Sequence, residues 1–189
     1  MSDTSGGVAE RLTQFVAAQL GHPDELELRG VRRTSAGLSR ENWVFDASWR
    51  QGDARVDEAL ILRRDPPGSV LLTERTVEVA VLRALEHTPV PAPRVRWADE
   101  AGAHLGRPSV VMHREVGECE YFCLTNDARP LEVRVALAQE FVGTLAAVAT
   151  LDWRSLGLGD VLADPRRQGA LFRAAHRGAV ARGAEGAQP

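Results

Sequence analysis

The sequence contains no lysine. All 23 basic residues among its 189 are arginine, set against 26 acidic ones, for a formal net charge of −3. Any role that commonly falls to a lysine must fall here to an arginine. The two are not equivalent, since one is a planar fork of donors and the other a point charge. With no basic excess, the chain lacks the electrostatic footprint of a nucleic-acid binder. Its two cysteines, Cys119 and Cys123, are too few for a disulfide scaffold. With no His or Cys cluster after them they also fall short of a four-ligand zinc site. No apolar run is long enough to span a bilayer, and no charged stretch leads into an apolar one at the N-terminus. The expectation is a cytoplasmic protein with neither nucleic-acid nor membrane partners.

What is present is ordinary for a soluble globular protein: 44% hydrophobic and 26% charged residues, at a length for one domain or slightly more. Val8, Leu12, Phe15, Val16 and Leu20 have helical spacing, and Gly21 and Pro23 stop the element. Leu26, Leu28 and Val31 predict a first strand. Asn42 to Trp49 alternates, with Trp43, Phe45, Ala47 and Trp49 on one face and Val44, Asp46 and Ser48 on the other. Gln51-Gly52-Asp53 is a turn, and Ala59 to Arg64 predicts a third strand in an antiparallel meander.

A helix is expected from Thr73, a favourable N-cap, to His87, with Val77, Val81, Ala84 and Leu85 as its apolar stripe. The proline-rich Thr88 to Pro93 cannot continue it. Arg94 to Ala98 and Ser109 to Val116 predict two further strands. Leu131, Val135, Ala138, Val142 and Leu145 mark a second long amphipathic helix, ending near Thr150. There are no internal repeats, and residues 178–189 have the composition of a disordered segment. The order lacks the β-α-β alternation of a parallel sheet. The expected fold class is α+β, a five-stranded antiparallel sheet with one flanking helix.

Three features carry chemistry. The turn Ser35-Ala36-Gly37-Leu38-Ser39-Arg40-Glu41-Asn42 offers small residues, hydroxyls and backbone N–H groups of the kind that meet phosphate oxygens, though a hairpin turn with one glycine has the same look. Arg63 is in phase with Ala59 and Ile61 on one strand face. Glu78 lies one turn from Leu82 and two from Leu85 on the helix. The two either form an inward ion pair or reach solvent separately at the edges of their elements.

Gly37 to Phe45 is similar to the Gly-Gly-Leu-Ser-Asn-Glu-Asn-Trp stretch of the aminoglycoside phosphotransferase family. So are Leu60 to Gly68, Val81 to Leu85 with Val90 to Val95, Gly106-Arg107-Pro108 with Val111-Met112, and Leu151-Asp152-Trp153 with Gly157-Leu158. The resemblance covers residues 26–164, and its closest flavour is the subfamily fused to acyl-CoA dehydrogenases. It implies a protein-kinase-like N-lobe at 26–117, preceded by an N-terminal helix at 1–25. Residues 118–164 would hold the hinge and the helical start of a truncated C-lobe, and 165–189 a disordered tail. Ser35, Gly37, Ser39 and Asn42 would cover the phosphates of ATP. Arg63 would take the place of the phosphate-binding lysine, and Glu78 that of its helix partner. Met112 and Arg114 belong to the hinge, Met112 to Gly117, whose backbone would receive the adenine.

Departures are visible as well. Ala36 stands for the first glycine of the pair, Arg40 for an asparagine, and Ala149 for a histidine. The His-Gly-Asp and Asp-Trp-Glu blocks that carry the family's catalytic base and its Mg²⁺ ligands are absent. His113-Arg114-Glu115 looks like a catalytic loop, but has Glu for Asp and Glu120 for the metal-binding Asn. Asp152-Trp153 has Arg154 where Glu is expected. The expected cofactors are therefore ATP and Mg²⁺, with no catalytic or metal residue in this chain. Three readings stand: a kinase portion inactive alone, half of a split kinase working with a separately encoded C-lobe, and a non-catalytic nucleotide-binding or interaction module.

Overall fold

The structure, a computed structural model, describes residues 5–34, 40–66, 75–117 and 124–162. Ser35, Gly37, Ser39, the expected cap Thr73, both cysteines, Glu120 and the 165–189 tail lie outside the described residues. The elements run α1 Ser5–Gln19, β1 Glu27–Arg33, β2 Glu41–Gln51, β3 Ala54–Arg64, α2 Arg75–Leu85, β4 Val95–Asp99, β5 Ser109–His113 and α3 Leu131–Ala149. The strands form one five-stranded antiparallel sheet in the order β1-β2-β3-β5-β4. The chain divides into two compact units, Met1–Leu151 and Asp152–Pro189.

The alternation along β2 sets the core. Trp43, Phe45, Ala47 and Trp49 face the same way as Leu60 and Leu62 of β3, because residues two apart share a face. Onto this face fold Val8, Leu12, Phe15 and Val16 of α1, together with Trp97, Leu105 and Val111. The N-terminal helix therefore belongs to the same core as the sheet. The opposite face carries a smaller cluster of Val79, Val110 and Met112, with Ile61, Leu82, Val95 and Ala98 packed against it. A helix thus covers each face, α1 on one and α2 on the other.

β3 is longer than its apolar pattern predicts. Its outer half, Arg55 to Glu58, pairs in full with β2, yet its charges hide it from a hydrophobic reading. The two-residue turn between these strands places Gly52 at φ 62°, where a side chain is strained. Strand β5 is shorter than expected, ending at His113 instead of Val116. Its neighbour β4 begins only at Val95, opposite Met112, and Val116 is fully exposed. Between β4 and β5, the buried Asp99 carboxylate accepts the backbone N–H groups of Ala103, His104 and Leu105 at 2.9, 2.9 and 2.6 Å. A Cβ at Gly102 would come within 2.4 Å of the Arg107 backbone, so this loop closes only around glycine.

Helix α3 has no buried residue, and Leu131, Val135, Phe141, Val142 and Leu145 are all exposed. An apolar helix surface of this kind is what a buried helix carries. No helix among the described residues is long and apolar enough to cross a membrane. In the second unit, residues 152–162 form successive turns, with Leu158 N–H donating to the Trp153 carbonyl at 3.2 Å. The α3 surface should bind a hydrophobic-surface dye and drive association of the chain. Glutamate at Phe141 and Val142 should reduce both effects while leaving the thermal midpoint unchanged, since exposed substitutions cost little. A wild-type chain that elutes as a clean monomer and binds no dye would contradict this.

Candidate functional site

Side-chain alternation along β3 separates two roles. Leu60, Leu62 and Arg64 project towards α1, and Ile61 and Arg63 project towards α2. Arg63 Nη1 meets Glu78 Oε1 at 2.9 Å, so the strand cation and helix carboxylate form the inward pair. The other oxygen, Oε2, accepts Arg75 Nη1 at 2.9 Å and lies 3.3 Å from Arg40 Nη2. Arg75 and Arg40 both also bond Asp65 Oδ1, at the end of β3. The side chains of Arg75 and Arg40 are 1% and 8% exposed, against 41% for Arg63. Burial pushes the Arg75 guanidinium below its ordinary value, opposed by the charges of Glu78 and Asp65.

Arg63 opens onto a cleft of about 310 Å³, lined also by Asn42, Ile61, Pro93, Met112, His113, Arg114 and Glu115. The cleft gathers four of the residues singled out from sequence: Asn42, Arg63, Met112 and Arg114. Glu78 stands behind Arg63. Met112 contributes a side chain, because its backbone runs within the sheet between Ile61 and Val95. His113 N–H donates to the Arg94 carbonyl at 3.0 Å and Arg114 N–H to that of Ala59 at 2.9 Å. The first backbone groups beyond the reach of the sheet are therefore those of Glu115 onward. The Arg114 guanidinium turns across the sheet to Asp46, at 2.6 Å. Beside the cleft, Thr34 N–H donates to the Asn42 carbonyl at 2.9 Å.

The apolar stripe expected on α2 is corrected. Arg75 and Val79 are its buried residues, with Leu82 packed on the core beneath it, and Val77, Val81, Ala84 and Leu85 are only half-buried. A buried arginine occupies a position that hydrophobicity assigns to solvent, which turns the helix about its axis. The sole local trace of this is the three-residue spacing of Arg75 and Glu78. Arg40, a departure in the sequence motif, has partners on both Asp65 and Glu78.

A second network lies on the α1 face. Arg64, with a side chain only 2% exposed, bonds Glu41 Oε2 at 2.7 Å, and Arg107 approaches Glu41 Oε1 at 3.3 Å. Burial works against the charged form of Glu41. The Arg64 hydrogen bond and the charges of Arg64, Arg107 and Arg33 outweigh it and hold the carboxyl below the ordinary carboxylate range. The two sequence look-alikes sit at the end of a strand and in a turn. His113 ends a strand opposite Leu60. Asp152 accepts Ser155 N–H at 3.3 Å within a turn, and Arg154 stacks on the Trp153 ring at 4.0 Å.

A sequence model of the phosphotransferase enzyme family (APH) matches residues 36–187. The chain belongs to this family. Its fold is similar to a crystal structure from Ralstonia eutropha JMP134, provisionally described as an aminoglycoside phosphotransferase, with a TM-score of 0.58 and 21% identity. That match covers 80% of this chain and 41% of the other, so the chain spans well under half the length of the structure it resembles. The shared fold is the antiparallel sheet with its helices. The family match runs past residue 164, where the motif resemblance stops. Among the described residues, no group of three or more His, Cys, Asp or Glu side chains is arranged to hold a metal ion.

The Glu41 carboxyl is lowered on folding, so its contribution to stability is complete above its unfolded value of about 4.5 and fades as pH falls through the lower folded value. Glu41→Gln should be destabilised by about 3–5 kcal/mol at pH 7, because Arg64 loses its buried partner. Urea unfolding from pH 7 downward should show the gap to wild type closing once the pH falls below the unfolded value of about 4.5. A gap that stays constant to pH 3 would contradict the assignment.

Proposed function

We propose that this chain is the nucleotide-binding lobe of an ATP-dependent phosphotransferase that phosphorylates a hydroxyl on a small molecule. The observation that carries the reading is the Arg63–Glu78 pair at 2.9 Å, opening onto a cleft that ends at the hinge residues Met112 to Glu115. A phosphoryl transferase holds its nucleotide largely by position and electrostatics. The Arg63 fork fits that task. One Nη holds Glu78, and the other, on a side chain that is 41% exposed and lines the cleft, would bind phosphate oxygens. Ile61 and Met112 offer an apolar surface for the adenine, and the backbone from Glu115 to Gly117 offers groups for its edge. Ser35, Gly37 and Ser39 would cover the phosphates, as the family motif implies, with Asn42 at the mouth.

ATP supplies the transferable phosphoryl group. Transfer also needs a base that orients the acceptor hydroxyl and carboxylate or amide ligands for Mg²⁺. The reading assigns these to a second lobe with His-Gly-Asp and Asp-Trp-Glu blocks, which would also cover α3. By itself, then, the lobe binds nucleotide and transfers nothing. The likeness to the subfamily fused to acyl-CoA dehydrogenases makes a hydroxylated acyl-CoA a candidate acceptor beside an aminoglycoside, and contacts to either would come from the second lobe.

Two measurements test this. Calorimetric titration with Mg-ATP should show binding by millimolar nucleotide, weakened about tenfold in Arg63→Ala. No heat at millimolar ATP would rule the nucleotide site out. Co-expression with a C-lobe carrying the two missing blocks should yield a stable complex with ATP-dependent kinase activity. Failure to co-purify would count against the two-lobe reading.

A further inference from the structure

The polar cluster behind the cleft contains more cations than the Arg63–Glu78 pair needs. Arg40, Arg63 and Arg75 face the two carboxylates Asp65 and Glu78, which leaves the group with one net positive charge. Arg75 closes it into a circuit. One arm of its fork takes Glu78 on its own helix, and the other takes Asp65, two residues beyond Arg63 on the same strand. Among the described residues its Nε is buried with no hydrogen-bond partner. Burying a guanidinium in that state costs more than an apolar helix–sheet contact would. A guanidinium can bridge two carboxylates held on different elements, and a single ammonium cannot span both in the same way.

We propose that Arg75 is a positioning residue for Arg63. It restrains Glu78 by Oε2 and ties α2 to the end of β3, so that Oε1 is presented to Arg63 at a fixed place. It also supplies the charge that, with Arg40, neutralises the two carboxylates and leaves the Arg63 charge available to an anion in the cleft. Removing that charge brings the cluster to neutrality and draws Arg63 onto Glu78 and Asp65. Arg75 itself touches no ligand, and the consequence for phosphate binding rests on the nucleotide reading given above.

The test uses the full chain as wild type, Arg75→Lys and Arg75→Gln, with Arg96→Gln as a control that breaks the Arg96–Glu58 bond (2.9 Å) outside the cleft. Circular dichroism and tryptophan fluorescence confirm folding. Each protein is titrated with Mg-ATP and with adenosine, which lacks phosphates. Arg75→Gln should lose about tenfold in ATP affinity, the scale of one charged hydrogen bond, and Arg75→Lys, which keeps the charge but not the two-carboxylate bridge, should lose part of that; both should keep wild-type affinity for adenosine. The control should match wild type for both ligands. ATP affinity unchanged in Arg75→Lys would overturn the positioning role while leaving the nucleotide site standing. A wild type that binds neither ligand overturns the nucleotide site instead. Hydrogen exchange at the Arg63 Nη groups, one of which holds Glu78, followed by NMR without nucleotide, then decides the positioning role alone. Faster exchange in Arg75→Lys supports it, and an unchanged rate overturns it.

Discussion

Glu78 is the point on which the site depends. A single carboxylate on α2 meets guanidinium groups from Arg40 before β2, Arg63 within β3 and Arg75 at the start of its own helix. Three segments far apart in sequence are thereby tied at one position. Buried ion pairs of this kind add little net stability, because desolvation offsets most of the attraction. Breaking one partner is nevertheless costly, so the arrangement specifies geometry more than it contributes energy. The lysine-free composition shapes the outcome, since a fork can be shared between two carboxylates where a point charge cannot.

The sheet keeps this polar cluster separate from the main core. One face is apolar and covered by α1, and the other carries the Arg63 side of β3, under α2 and beside the cleft. Because strand side chains alternate, the β2–β3 register sets both faces at once. A slip by one residue would carry Arg63 into the Phe45–Leu60 core and Leu62 into the cleft. Gly52 in the two-residue turn and the unbroken pairing from Glu41–Arg64 to Gln51–Ala54 hold that register.

Much of the fold was legible because apolar periodicity reports core faces. The alternation from Trp43 to Trp49, the helical spacing from Val8 to Leu20 and the apolar surface of α3 are all of this kind. The phase of Arg63 with Ile61, and the place of Glu78 on its helix, were readable for the same reason. What escaped was polar and buried. Arg75 gave no hydrophobic signal, so the stripe of α2 was drawn on its neighbours. Arg55, Asp57 and Glu58 concealed the outer half of β3. Arg64 and Arg107, two among 23 arginines, could not be told from solvent-facing ones until Glu41 was seen between them. Family motifs supplied the roles in the cleft, and geometry supplied the partners.

The central claim is that the Arg63 fork, steadied by Glu78, is the anchor for phosphate in the cleft. A crystal structure of the chain with a non-hydrolysable ATP analogue and Mg²⁺ tests it most directly. The account predicts a phosphate oxygen within hydrogen-bond distance of the Arg63 guanidinium, the Arg63–Glu78 bond retained, and the adenine against Ile61 and Met112. Nucleotide bound elsewhere, or in the cleft with Arg63 turned away from every phosphate, would contradict it.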